Sequence, residues 1–216
     1  MQNEKIVYFV RHGQSVDNAL PVFQSSSSPL STKGQFQAQQ IANRIKHLSF
    51  DALVSSPLPR AYETATAIAT TTGKQVELSD FFVERIKPTA VDGKPWDDAE
   101  SLKIYTEWET SLYNQGASVL DGENFDDIMA RADAALECLR GRTESTLVVV
   151  THGHFLRTIV ARVLLGDALT GEGLKRIQQV ASVENTALTV LKYRAAYEEA
   201  ACWRLWTLND HAHFAD

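Results

Sequence analysis

The sequence predicts an α/β protein, a three-layer α/β/α sandwich whose central sheet is mostly parallel and has about six strands. Three observations carry this expectation. Short apolar runs of strand type alternate along the chain with segments whose apolar residues recur at helical spacing. One run, Thr146-Leu147-Val148-Val149-Val150, is apolar and β-branched throughout, as expected of a central strand buried on both faces. Two of the runs stop abruptly in the same dipeptide, at His12-Gly13 and His152-Gly153.

The elements follow in order. Val7-Tyr8-Phe9-Val10 reads as the first strand and ends in Arg11-His12-Gly13-Gln14-Ser15. Residues 16–30 read as a polar loop containing Ser25-Ser26-Ser27-Ser28-Pro29. Ser31 or Thr32 is the expected N-cap of a helix that places Ala38, Ile41, Ala42, Ile45 and Leu48 on one face. Residues 51–55 form a second strand, stopped by Ser56-Pro57, and a helix begins near Arg60 and ends at Gly73. Gln75-Val76-Glu77-Leu78 is a short third strand. Residues 86–120 are the least regular, with a helix over 99–113 carrying Trp108 and Leu112 on one side. They read as a cap-like insertion in a single domain spanning 1–216, because they hold no strand system of their own. Asn124 caps the next helix, with Asp127 in its first turn and Ile128, Ala132, Ala135, Leu136 and Leu139 as its apolar stripe. A helix over 155–165 follows the central strand and stops at Gly166. Strands at 187–191 and 203–208 complete the sheet, with Trp203 and Trp206 on opposite faces and both expected in packing.

Composition narrows the function classes. A chain of 216 residues is long enough to bury a sizeable core. Its formal net charge of −6 speaks against a general nucleic-acid binder, which carries a basic face, but leaves room for a local cationic pocket. Cys138 and Cys202 are far apart and form no CxxC, so neither a disulfide framework nor a zinc knuckle is indicated. No apolar run has membrane-spanning length and no signal core opens the chain; cytoplasm is the expected location, with no membrane partner. His47, His211 and His213 have no motif around them and read as surface residues. Gly171-Glu172-Gly173 lacks the Lys-Ser/Thr of a nucleotide loop.

The chemistry gathers at strand ends. In an open α/β sheet ligands bind at the carboxyl ends of the strands. If the strands ending at Arg11-His12 and Thr151-His152 are neighbours, and the turn leading to Arg60 lies beside them, two histidines and two arginines share one rim. Arg60 in the first turn of its helix opposes the helix dipole, which favours a ligand role over a solvated surface position. Guanidinium groups clamp phosphoryl oxygens without a metal. A histidine nitrogen can take a phosphoryl group and pass it to water, and a neighbouring carboxylic acid can protonate the leaving oxygen. Glu84 directly follows an apolar triplet; its plain alternative is a surface carboxylate paired with Arg85.

Taken together, Arg11-His12-Gly13 after a strand, Arg60 in Ser-Ser-Pro-Leu-Pro-Arg-Ala-Tyr-Glu-Thr-Ala, Glu84 and Thr151-His152-Gly153 resemble the histidine phosphatase superfamily, also called phosphoglycerate mutase-like. Ser31-Thr32-Lys33-Gly34 resembles the family's first helix start, and Val183-Glu184-Asn185-Thr186 its late strand. The resemblance covers nearly the whole chain. It implies a phosphoglycerate mutase-like fold and a phosphoric monoester hydrolase of histidine acid phosphatase type, with a small phosphoester as substrate and with no cofactor or metal. It implies His12 as the nucleophile that accepts the phosphoryl group. Arg11, Arg60 and His152 would hold the phosphoryl oxygens, helped by the Gly153 amide, by Asn18 and by Ser15. Glu84 would be the proton donor, with Glu123 as the alternative acid. Mutases of the family place a Gly-rich segment after the acid, where this chain has Arg85-Ile86-Lys87-Pro88-Thr89, so the phosphatase branch is favoured over a phosphoglycerate mutase-type phosphotransferase. Gln14 stands where Glu is common.

Two other classes compete. His152-x-His154 with His12 could serve a metal-dependent hydrolase, although His154 opens a helix and no acidic or cysteine ligand set accompanies it. A non-catalytic phosphoryl-binding module is the other. Substrate identity and oligomeric state are not legible, and residues 20–29 and 86–120 are the stretches expected to rim the pocket.

Overall fold

The computed structural model describes residues 4–194 and 202–214. Among the described residues, six strands and six α-helices run in the order β1 (Glu4–Arg11), α1 (Thr32–Ile45), β2 (Ala52–Ser55), α2 (Pro59–Thr72), β3 (Val76–Leu78), α3 (Ala99–Ser111), α4 (Phe125–Gly141), β4 (Thr146–Thr151), α5 (Gly153–Leu165), α6 (Gly171–Val180), β5 (Leu188–Arg194) and β6 (Cys202–Asp210). The sheet order is β3-β2-β4-β1-β5-β6. β3, β2, β4 and β1 are parallel neighbours; β5 is antiparallel to both β1 and β6, so it alone is reversed. None of the helices described is long and apolar enough to cross a membrane.

The period of two in the strands builds the layers. Val7 and Phe9 of β1 and Leu147 and Val149 of β4 pack into one buried cluster with α4, α5 and α6. Val10 of β1 and Val148 and Val150 of β4 point the other way and pack with α1 and α2. Both faces of the central strands are therefore dry, which is why these runs are continuously apolar rather than alternating. Each fully buried Leu, Ile or Phe side chain contributes roughly 1.5–3 kcal/mol of transfer free energy.

The helix ends match their sequence signals. The Ser31 side chain accepts from the Gly34 N–H, and Asn124 and Asp127 form a capping box at α4. Gly73 closes α2 at φ 72°. Helix α6 was not expected. Its opening glycines mask the pattern, yet Thr170 caps it and Leu174 is buried. A Cβ at Gly171 would lie 2.3 Å from the Tyr113 carbonyl oxygen, so that glycine is required for close packing rather than for a loop.

Three expectations at the C-terminal end need correction. Trp203 stacks near Tyr193 against the core, but Trp206 is 64 % exposed, with the Lys192 ammonium 3.6 Å from its ring centre. Being on the edge strand, its face of β6 has no covering helix. His211 and His213 are half-buried rather than surface residues. They cluster with Phe214, and His213 lies within hydrogen-bond distance of Arg44 and Thr186.

Candidate active site

Strand register brings the site together. Arg11 pairs with Thr151, and Ser55 pairs with Val150, so three parallel strands end at one level. The residue after each end is His12, His152 or Ser56. The His12 N–H donates to the Thr151 carbonyl at 2.9 Å and the Ser56 N–H to the Val150 carbonyl at 3.0 Å, which carries the ladder one residue past the strands. The two histidine rings lie 4.9 Å apart, centre to centre, and both are buried.

The tautomer of His12 follows from its neighbours. Nδ1 lies 2.6 Å from the Gly13 carbonyl oxygen, which can only accept, so Nδ1 carries the proton. Nε2 is left as a bare lone pair and accepts from the Arg60 Nε at 3.3 Å. Burial, reinforced by the charges of Arg60 and Arg11, holds the His12 pKa well below the ordinary value. The ring is thus a neutral imidazole with its nucleophilic nitrogen beside a guanidinium. His152 is neutral for the same reasons, burial first and Arg60 next. Its Nε2 meets the Ser56 hydroxyl at 2.8 Å, while its buried Nδ1 has no partner.

Both arginines sit in unusual surroundings. Arg60 is buried in the first turn of α2, and desolvation lowers its pKa to about 10, so it keeps its charge at neutral pH. Its Nη1 donates to the Ser25 carbonyl at 3.2 Å, tying the serine loop to the site. Arg11 donates to the Val183 carbonyl at 2.6 Å, and its buried Nε is unpartnered. Gly153 makes room for it, since a Cβ there would stand 3.0 Å from Arg11 Nε. Buried donors without acceptors are rare and costly. Arg11 Nε is such a donor, and His152 Nδ1 is a second buried ring atom without a partner.

Glu84 caps α5. Its carboxylate accepts from the His154 N–H at 3.1 Å, the Phe155 N–H at 2.8 Å and the Arg85 N–H at 3.0 Å. Burial works to raise its pKa, but these three amides, two of them at the start of α5, oppose it, and the net shift is downward. The expected surface pairing with Arg85 does not form. Arg85 turns inward, stacks 3.8 Å from the Trp108 ring centre, and donates to the Trp108 and Glu123 carbonyls and to Glu109. His154 follows in α5, and burial depresses its pKa to about 3. Glu123 is held in a two-pronged pair with Arg131, both bonds 2.7 Å, and accepts from the Ile86 N–H; it does not line the cavity beside Glu84.

Beyond Arg60, Glu84 and His154 opens a cavity of about 560 Å³. Asn18 lines it; Ser15 does not. Ser15 is fully buried, and its hydroxyl accepts from the Asn18 N–H and from the Gln24 side chain, so it shapes the loop that carries Asn18. Among the described residues no group of three or more His, Cys, Asp or Glu could hold a metal ion.

The family model of the histidine phosphatase superfamily (branch 1) matches residues 7–205. The chain belongs to the histidine phosphatase superfamily. Among curated relatives of this chain, the probable phosphoglycerate mutase GpmB of Escherichia coli O1:K1 is 30 % identical over 212 residues, covering 96 % of this chain and 94 % of the relative. Solved structures share the fold at lower identity. The alpha-ribazole phosphatase of Shigella flexneri has a TM-score of 0.75 at 22 % identity, over 95 % of this chain and 96 % of that one. A mycobacterial glucosyl-3-phosphoglycerate phosphatase has a TM-score of 0.74 at 22 % identity, over 96 % and 99 %.

Several supporting residues carry no strong sequence signal. Asn185 donates from its side chain to the His12 carbonyl at 2.9 Å, and the Gly13 N–H donates to Thr64 Oγ1 at 3.1 Å. The Gly13 and Gly34 backbones touch, so that a Cβ at Gly34 would lie 2.0 Å from the Gln14 carbonyl oxygen. The asparagine and threonine types are ordinary; only the fold shows what they hold.

Proposed function

We propose that this member of the superfamily is a metal-independent phosphomonoester hydrolase. It acts through a phosphohistidine on His12, with Glu84 as proton donor. The observation that supports this most is the His12 ring, with its Nδ1 proton held by Gly13 and its Nε2 lone pair facing Arg60. In the first step Nε2 bonds to phosphorus as the bond to the leaving oxygen breaks. Arg11, Arg60 and His152 take the phosphoryl oxygens, with the Gly153 amide and Asn18 alongside, and Glu84 gives its proton to the leaving oxygen. In the second step the Glu84 carboxylate takes a proton from water, the water oxygen bonds to phosphorus, and the bond to His12 breaks. Since Glu84 is held ionised before substrate arrives, its proton comes in with the substrate monoanion, which is abundant near the second phosphate pKa of about 6. Glu123 is disfavoured as the acid by its engagement with Arg131.

Residues 86–120 then serve as a cap on one catalytic domain. Small phosphoesters are the substrates, and we place the site of action in the cytoplasm, with Cys138 and Cys202 as thiols. The name of the GpmB relatives keeps a phosphoglycerate mutase-type transfer as the second reading. The deciding experiment is a broad phosphoester screen with trapping of labelled phosphate on the protein. The expected outcome is release of inorganic phosphate and label on wild type but not on His12→Ala, with vanadate inhibiting and chelator without effect. Loss of activity on chelation would favour the metal-dependent hydrolase. Transfer to a second hydroxyl without phosphate release would favour the mutase. No label and no hydrolysis would favour a binding module.

A further inference from the structure

Past Arg60 the cavity changes character. Residues 21–23 run beside residues 93–96, with Phe23 N–H to the Lys94 carbonyl at 2.8 Å, Gly93 N–H to the Phe23 carbonyl at 3.0 Å and Trp96 N–H to the Pro21 carbonyl at 3.0 Å. The two irregular stretches thus form one wall. On it, the Phe23 ring stacks on Tyr105 of α3, 4.4 Å between centres and 24° between planes. Trp96 also lines the cavity and is 53 % exposed, a large apolar side chain left open in the wall.

The cations of this outer compartment are all engaged. Arg85 is occupied by Trp108, Glu123 and Glu109, and Lys87 Nζ lies 2.7 Å from Asp92 Oδ1. Asp17 stands in the same wall and accepts from the Ser25 N–H. Apart from Arg60 and Glu84 at the histidine end, the lining therefore sets three carboxylates, Asp17, Asp92 and Glu109, against Arg85 and Lys87, both already paired. A second anionic group on a substrate, such as the carboxylate of a phosphoglycerate, would meet like charge and find no free cation, a several-fold penalty against that class. A flat uncharged ring would meet Trp96 and the edge of the Phe23–Tyr105 stack. The volume of about 560 Å³ is ample for such a body beside the phosphoryl group.

We infer that the leaving group is an uncharged alcohol or phenol bearing a flat aromatic body, seated against Trp96. This rests on the phosphatase reading above and narrows it to one substrate class. The test separates binding from turnover. Phenyl phosphate and 3-phosphoglycerate are titrated calorimetrically at pH 7.5 into the His12→Ala protein, alone and combined with Trp96→Ala or Asp92→Asn. Phenyl phosphate should bind about tenfold tighter than 3-phosphoglycerate. Trp96→Ala, at an exposed position, should remove most of that preference by weakening phenyl phosphate alone. Asp92→Asn frees Lys87 and should tighten 3-phosphoglycerate several-fold, its amide oxygen still accepting from Ser26. Equal or tighter binding of 3-phosphoglycerate, no detectable phenyl phosphate binding, or a preference untouched by Trp96→Ala overturns the inference. Hydrolysis by wild type is scored apart. Preference for the aromatic ester without hydrolysis keeps this inference and removes the phosphatase reading; hydrolysis with the reverse preference removes this inference alone.

Discussion

Gly34→Ala tests how the nucleophile loop is supported. The added methyl would lie 2.0 Å from the Gln14 carbonyl oxygen and 2.9 Å from its carbon, whereas ordinary contact starts near 3.4 Å. Neither side yields easily. Gly34 is in the first turn of α1, and the two segments are close enough that a Cβ on Gly13 would lie 2.5 Å from the Gly34 carbonyl oxygen. The Gln14 backbone must recede by about 1.4 Å to restore ordinary contact, and overpacking of this kind costs roughly 1–3 kcal/mol. For a protein of this size that lowers Tm by about 2–12 °C. The segment that moves carries Gly13, whose carbonyl fixes the His12 tautomer. A shift of that size is expected to lower kcat/KM about 100-fold. Thermal melting measures the first effect, and p-nitrophenyl phosphate turnover, assayed well below the variant's Tm, measures the second. Gly141→Ala is the control, because a Cβ there meets nothing within 4 Å; it should be neutral or slightly stabilising. Wild-type stability and turnover in Gly34→Ala would refute the close backbone contact as the support of the loop.

Four further outcomes are expected. His12 and His152 are buried with pKa values held far below 6.5, so the unfolded chain binds more protons than the native protein once pH falls below about 6.5. Their contribution to stability is full above that pH and declines below it, by about 1.4 kcal/mol per pH unit for each ring; urea unfolding at pH 7.5, 6 and 5 reads the slope, and His152→Asn should reduce it. Glu84→Gln should slow alkyl phosphates at least about 100-fold, but p-nitrophenyl phosphate far less, because a phenolate with a good leaving-group pKa needs little protonation. Glu123→Gln should leave that selectivity unchanged and instead lower stability by about 3 kcal/mol or more, by stripping half-buried Arg131 of its carboxylate. Asn185→Ala frees the His12 carbonyl; kcat should fall about tenfold with KM nearly unchanged, whereas a proportional loss of folded protein would mark a merely structural role.

The architecture was legible because each element is announced locally. Ser31, Asn124 and Gly73 mark helix ends through side-chain capping or positive φ, and 146–150 declares a central strand by having no polar face. Helix α6 escaped because Gly171 and Gly173 look like loop residues, and Gly171 is explained only by the distant Tyr113 carbonyl. Trp206 was misjudged because an edge position is a property of strand order, which no local pattern encodes.

The sequence by itself determined that two His-Gly strand ends, two arginines and an acid exist at spacings suited to phosphoryl chemistry, since strand length, turn type and residue chemistry are all short-range. Tertiary structure alone decided which atoms meet. Parallel register aligned Arg11 with Thr151 and Ser55 with Val150, bringing residues from three separate strands to one level. Burial made both imidazoles neutral, a carbonyl chose the His12 tautomer, and the start of α5 drew Glu84 into the site while Arg131 drew Glu123 away. These are long-range contacts whose energies depend on desolvation, and desolvation is set by what the whole fold places around a side chain rather than by its neighbours in the chain.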